Sequence, residues 1–293
     1  MRVTNKLMND VMARNLSANI EQMMKTQSSV SSGKRITRPS DDPLGTAKAS
    51  DYKHLISTVD QYTRNIDDGT ARLQMTESAL DNLNNLVVRL KELAVYQSSE
   101  TANAQTRSAV AEEVSAIREE IVRLANTQYK GGYIFSGYQT QTAPFDTTGT
   151  YYGDQGEIGV NVGDEIGVKV NITGDELFKG GGGGVDIFSV ADGLIQGLLA
   201  NDTEVIQAQI EPLDDALSQV LGFRAQVGAG LNRMETMGKI YSDFKLNTQE
   251  LLSDVEDVDV VEAMTRLASE EAAYRASLET AARIMSQSLL DFI

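Results

Sequence analysis

The sequence predicts a mainly α fold: a long-helix coiled-coil bundle with amphipathic N- and C-terminal helices and a small inserted β domain. Three observations predict it: an unbroken heptad seam, the return of that seam in two later segments, and a central stretch whose period drops to two. The first seam runs Leu55, Val59, Tyr62, Ile66, Gly69, Leu73, Thr76, Leu80, Leu83, Val87, Leu90, Ala94, Gln97, with only Gly69, Thr76 and Gln97 departing from apolar. A helix from Pro43 to about Gln97 would be roughly 80 Å long at about 1.5 Å per residue, a rod rather than a ball. Rods of this kind build assemblies, whereas active sites need concave pockets.

Ahead of that rod, Leu16, Ile20, Met23 and Val30 fall on one helical face, with Gln27 in register. The stretch Ser31 to Pro43 then reads as a loop with a helix start at its end. Pro39 is expected to break the first helix, Asp42 to cap the second, and Pro43 suits the first helical position. Lys34, Arg35 and Arg38 make the loop basic, which reads as a subunit contact.

After the rod the seam returns at Val110, Val114, Ile117, Ile121 and Leu124. It returns again at Ile206, Ile210, Leu213, Leu217, Val220, Val227, Leu231, Met234, Gly238 and Tyr241, with Arg224 as an interruption. Between these lies the change of period. Half of the glycines, 12 of 24, fall between Gln141 and Val185. There Ile158, Val160 and Val162 alternate, Gly163-Asp164 turns, and Ile166, Val168, Val170 and Ile172 alternate again. The run Gly180 to Gly184 reads as a linker back to the bundle. One copy of Gly-Gly-x-Gly-x-Asp, Gly181 to Asp186, is too little for a calcium-binding repeat.

The last helix offers Val260, Met264, Leu267, Tyr274, Leu278, Ala281, Met285 and Phe292, and Asp259 with Glu262 reads as its capping start. Residues 1–50 carry 8 basic and 4 acidic side chains, net +4, and residues 251–293 carry 3 and 9, net −6. The two ends are thus complementary. The acidic cluster Asp254, Glu256, Asp257, Asp259 lacks the spacing of a cation loop and reads as a solvated, helix-starting face. The expected domains are 1–42 plus 255–293, a terminal helical assembly domain; 43–140 plus 186–254, a helical bundle with a β-hairpin near 131–140; and 141–185, an inserted β domain. Removing the last is expected to leave the seams intact.

Composition narrows function. The 293 residues hold no Cys, no Trp and one His, which excludes thiol catalysis, disulfides and Cys/His zinc sites. That residue, His54, reads as a solvated helix-face side chain without chemistry. No catalytic, cofactor or metal residues are assigned. A net charge of −16 argues against nucleic acid. No run of 18 apolar residues suggests a membrane span, and the N-terminus leads into no secretory hydrophobic region, so no cleaved signal is expected.

Ser31-Ser32-Gly33-Lys34-Arg35-Ile36 followed by Ser40-Asp41-Asp42, and Arg224-Ala225-Gln226-Val227-Gly228 with Asn232-Arg233-Met234-Glu235, resemble the two terminal signatures of the bacterial flagellin family. Tyr133-Ile134-Phe135-Ser136-Gly137, with Gln139-Thr140 and Pro144-Phe145, is similar to the hairpin of that family's hook-associated members. So is the ending Ser286 to Ile293. Ser136 stands where the usual motif has a second Gly, and 141–185 matches nothing in the pattern.

The resemblance implies a non-enzymatic subunit of the bacterial flagellum, exported without a cleaved signal through the type III channel and held beforehand by a chaperone. It implies self-association in a ring or helical zone between a hook-side protein and flagellin, with no cofactor, nucleic acid or membrane. It assigns assembly to Leu16, Ile20, Met23, Val30, Met264, Leu267, Tyr274, Leu278, Met285 and Phe292, and the family loop to Ser32, Gly33, Arg35, Ile36, Asp41 and Asp42. A flagellin filament subunit and a cytoplasmic coiled-coil adaptor are the alternatives.

Overall fold

Every heptad seam lies on a helix. The computed structural model describes residues 2–99, 103–164 and 166–290, with side chains described between residues 7 and 283. Among these residues run α1 (Arg2–Ser32), α2 (Pro43–Gln97), α3 (Ala104–Ala125), α4 (Ile187–Ala200), α5 (Thr203–Ala208), α6 (Ile210–Glu256) and α7 (Val260–Leu290). Strand β1 (Gln128–Tyr129) pairs antiparallel with β2 (Gly132–Tyr133), and β3 (Gly159–Gly163) pairs antiparallel with β4 (Ile166–Lys169). The chain divides into two compact units, Met1–Val59 with Asp243–Ile293, and Asp60–Ser242.

In the second unit, the α2 seam residues from Ile66 to Gln97 are all buried, including the two polar ones. Thr76 returns its hydroxyl to the carbonyl of Arg72 at 3.0 Å, so it enters the core with its hydrogen bond made. Val114, Ile117 and Ile121 of α3 and Leu213, Val220, Val227 and Met234 of α6 join the same core. Arg224 interrupts the α6 seam for a reason: it pairs with Glu77 at 2.8 Å and Asp81 at 3.0 Å on α2. At the other end of the α2 seam, in the first unit, Leu55 remains exposed.

Gly69 is the one glycine in the α2 seam, and a Cβ there would meet Met234 at 2.8 Å and Val170 at 3.3 Å. The β3–β4 hairpin therefore packs where the seam leaves room. Tyr241 fastens it by donating to the Val162 carbonyl at 2.6 Å, and Asn65 donates to the Asn161 carbonyl at 2.8 Å. The expected alternation holds at Val162, Val168, Val170 and Ile172, which are buried, but not at Ile166, which begins β4 and stays exposed.

Residues 141–185 do not close a core of their own, which differs from the expected separate insert. Phe145 and Phe178, inside that span, pack on Phe135 before it and Phe188 after it. The ring centroids are 5.4 Å apart for Phe135 and Phe178, and 5.3 Å for Phe145 and Phe188. Gln219 of α6 accepts from the Val185 amide at 2.8 Å and donates to the Leu177 carbonyl at 2.7 Å. The glycine run is thereby held as a turn, with positive φ at Gly180, Gly182 and Gly183. Asp186 ends it by capping α4 through the amides of Phe188 and Ser189.

Other boundaries shift for identifiable reasons. The early hairpin is β1–β2 at 128–133 rather than 131–140, because Lys130 and Gly131, both with positive φ, make the two-residue turn. The helix expected after Thr203 is divided at Gln209, since Pro212 has no amide to continue the ladder and falls in the first turn of α6. The first helix stops at Ser32, before Pro39, because Gly33 takes φ +71°. The N-terminal part of α2 and the C-terminal part of α6 belong with the terminal helices, not with the bundle.

Leu83, 1% exposed, is expected to be intolerant of charge: Leu83→Asp should cost several kcal/mol by burying an unpaired carboxylate. A melting temperature equal to the parent's would refute the packing register. Phe178→Ala should cost about 3–5 kcal/mol, and replacement of 141–185 by a short linker should destabilise the second unit, both read by thermal denaturation. A deletion variant that melts like the parent would restore the free-standing insert.

Candidate assembly interface

The first unit is built on α1 and α7, which run antiparallel. Asn19 donates to the Ser277 hydroxyl at 3.3 Å. The inner face of α1 is Met12, Leu16, Asn19, Met23, Thr26 and Val30, and that of α7 is Ala263, Leu267, Glu270, Tyr274, Ser277 and Ala281, each stepping by four and three. Of the expected interface residues, Leu16, Ile20, Met23, Val30, Leu267 and Tyr274 are half-buried. Met264 and Leu278 are not brought in: they stand 57% and 40% exposed on a flank of α7. Phe292 and the side chain of Met285 lie outside the described residues.

The family-motif loop is wound onto the α6–α7 turn. Past Ser32, whose hydroxyl accepts from the Lys34 amide at 3.2 Å, the Gly33 carbonyl accepts from the Val258 amide at 3.0 Å. The Arg35 amide donates to the Glu256 carbonyl at 2.7 Å, and its guanidinium donates to the Val255 carbonyl at 2.7 Å. Ile36 is buried beneath it, against Gly45, where a Cβ would come 2.6 Å from the Ile36 methyl. Asp42 caps α2 by accepting from the Gly45 amide at 2.8 Å, with Pro43 next, as expected. Asp41 accepts from Thr37 at 3.1 Å and from the Arg38 amide at 3.0 Å, and pairs with Lys25 of α1 at 3.1 Å. Of the three basic residues expected to form an outward contact, Lys34 and Arg35 are therefore satisfied inside the unit.

Glu256 is the residue that sequence reasoning missed. It is buried, and Lys34 and Lys53 both donate to its carboxylate at 2.7 Å. Burial pushes its pKa up, but the two ammonium groups outweigh that and hold it below the usual carboxylate range. Asp41 is likewise held low, by Lys25 first and then by the Arg38 amide and Thr37. Two further members of the acidic cluster are also tied down. Asp257 accepts from Ser253 at 2.6 Å, and Asp259 caps α7 through the amides of Val261 and Glu262. Glu262 does not close the capping box, because it pairs with Arg266 at 2.7 Å. A lysine at 34 and another at 53 were the only available signal for Glu256, and nothing periodic connects them.

Among the described residues no group of three or more His, Asp or Glu is placed to hold a metal ion, and no helix is long and apolar enough to cross a membrane. His54 stays exposed on α2. The cleft beside the loop, about 380 Å³, is lined by Thr26, Ile36, Val258 and Ala263 together with the ion pairs Lys25–Asp41, Arg35–Asp42 and Arg266–Glu262.

Glu256→Gln is expected to cost about 1–2 kcal/mol, since two charge-assisted hydrogen bonds weaken while both lysines stay half-exposed. A carboxyl with a lowered folded pKa stabilises above its unfolded value and loses that contribution as the pH falls through the folded one. Acid should therefore weaken the parent as the pH drops below about 4.5, and Glu256→Gln should show a flatter dependence. Thermal melts across pH 3–7 check both; parallel curves for parent and variant would count against the assignment.

Comparison with known proteins follows the same geometry. Residues 3–140 match the family model of the bacterial flagellin N-terminal helical region, and residues 210–293 match that of the C-terminal helical region. Flagellar hook-associated protein 3 of Escherichia coli (strain K12) is 28% identical over 94% of this chain and 95% of its own. Flagellin of Halalkalibacterium halodurans is 31% identical over 86% of this chain and 84% of its own. A solved structure of a putative flagellar hook-associated protein from Vibrio parahaemolyticus superposes with a TM-score of 0.68 at 25% identity, covering 74% of this chain and all of that one.

Proposed function

The chain belongs to the bacterial flagellin family, and on that premise we propose that it is a structural subunit of the flagellum that joins hook to filament. The observation that carries this reading is the terminal pair: both ends of the chain meet in one helical unit whose outer faces still expose Leu7, Val11, Val261, Met264 and Leu278. Such faces fit association with further helices. In the choice among flagellar roles, the match to hook-associated protein 3 along nearly the whole of both chains favours the junction.

The subunit acts by contact and not by catalysis. Its partners in this reading are copies of itself in a ring or helical zone, a hook-associated protein on the hook side and flagellin on the other, with an export chaperone before secretion. It is exported to the cell exterior. The loop from Ser32 to Asp42, clamped on Glu256, holds α1 and α7 in register for that assembly, and Leu16, Ile20, Met23, Val30, Leu267 and Tyr274 form the seam of each subunit.

A second reading, a filament subunit, has the 31% identity to a flagellin in its favour. Symmetry separates the two. Head-to-tail stacking on identical copies grows without limit, whereas a junction protein meets different neighbours on its two sides and stops. Cells lacking this protein are expected to keep hooks, lose filaments and release flagellin into the medium, and labelled protein should mark one zone. Label along the entire filament, or normal filaments in the deletion strain, would decide for the filament subunit.

A further inference from the structure

Arg224 opens the second terminal signature and stands in the α6 seam, where its neighbours in the series, Val220 and Val227, are buried. Its guanidinium reaches α2 through Nε at 2.9 Å and Nη2 at 2.8 Å, both on one oxygen of Glu77, and Nη2 also meets Asp81 at 3.0 Å. As a source of stability this is a poor arrangement. Arg224 and Glu77 keep 27% and 31% of their side-chain surface exposed, where an ion pair contributes little. The second Glu77 oxygen is shielded from solvent with no hydrogen-bond partner among the described residues. A leucine at 224 would complete the apolar stripe.

The pair makes sense as a mark of register. α2 and α6 run antiparallel: a Cβ at Gly238 would lie 3.8 Å from the Ile66 methyl, one at Gly230 would lie 3.2 Å from Leu73, and Lys91 pairs with Asp214. Two seams of the same period match again after a slip of seven residues, about 10 Å along the axis. Apolar would still meet apolar, since Leu231 would then stand level with Ile66 and Phe223 with Leu73. Charge does not repeat in this way. Seven residues before Glu77 and Asp81 stand Thr70 and Gln74, and seven after them stand Asn84 and Val88, so Arg224 finds carboxylates in one register only. Asp214 obeys the same logic, because the residues one heptad either side of Lys91 are Asn84 and Ser98.

We infer that Arg224 is a positioning residue: it selects the present register of α2 against α6 and excludes the two that lie one heptad away. A charged or polar group in an otherwise apolar seam fixes register at some expense of stability, and the half-exposed, unevenly shared pair at Arg224 has that character. The α2 seam alone is indifferent to the slip.

The test uses the purified full-length chain, unfolded in denaturant, refolded and then mildly oxidised. The parent has no cysteine, so an introduced pair reports without background. Lys91→Gln is built into every variant so that Arg224 acts alone. Ile66→Cys with Gly238→Cys, close enough to join, reports the present register, and Ile66→Cys with Leu231→Cys reports the one a heptad away. With Arg224 in place only the first pair is expected to close within a chain. Arg224→Leu should melt at or above the parent temperature, yet closure of the second pair should rise at least tenfold. Moving the acids, by Glu77→Gln and Asp81→Asn together with Thr70→Glu and Gln74→Asp, should redirect closure to the second pair while Arg224 is kept. That set serves if Arg224→Leu does not refold. Closure confined to the first pair in both sets would overturn the inference and pass the register to the hairpin at Gly69. The same result with a lowered melting temperature would make Arg224 a stabilising contact only.

Discussion

The heptad seam of α2 is the constraint on which the second unit depends. A stripe that returns every 3.5 residues keeps one side of a long helix dry only while partners with the same period cover it. The α3 and α6 seams supply that cover from Ile66 to Gln97. Each departure from the apolar pattern is then a place where something else enters. At Gly69 it is the hairpin through Val170, at Arg224 an ion pair to α2, and at Thr76 a hydroxyl returned to its own helix. Seam and exceptions are one arrangement, since the exceptions mark where non-helical chain and charge are admitted without breaking the register.

The first unit depends on a different device. Its two helices present inner faces of modest hydrophobicity, with Asn19, Thr26, Glu270 and Ser277 among the contact positions. Such faces have little burial to offer, roughly 25 cal/mol per Å² of apolar area, so the pair needs fixing at one end. Glu256 does this by drawing Lys34 and Lys53 to one buried carboxylate while its own carbonyl takes the Arg35 amide. A polar clamp and a weak seam suit a part whose remaining apolar surface is meant for neighbours.

How much of this could be read from residues alone follows from what has a period. The helices, the β3–β4 alternation, the Asp42 and Asp259 caps and the pairing of the two ends were legible, because spacing and charge encode them locally. The α7 inner face is legible at Leu267, Tyr274 and Ala281 but shifted by one residue at the positions between them. Ala263, Glu270 and Ser277, the members missed, are small or polar, while the conspicuous Met264 and Leu278 beside them mark the flank. Gln27 was taken for Thr26 in the same way. Glu256 was read as solvated because both lysines that bury it are about 200 positions away, and a contact at that separation leaves no trace in any window of sequence. The tie between residues 141–185 and the bundle was hidden for the same reason. Phe145 and Phe178 look like the private core of an insert until Phe135 and Phe188 are seen against them.

The misplacement has a physical meaning of its own. Large apolar side chains on a helix are conspicuous, and the natural assumption is that the conspicuous face is the one the chain buries for itself. Here the inner face of α7 is the quieter one, and the louder face is left outside. A helix that buried Met264 and Leu278 against α1 would be a more stable monomer and would have nothing left to offer a neighbour. Leaving them exposed costs solubility and isolated stability, which is tolerable only for a chain whose working state is an assembly. The net charge of −16 offsets the first cost by keeping free copies apart. Mutual repulsion of that size also means that association has to be local and specific, through seams that match residue by residue, rather than through general stickiness of the ends.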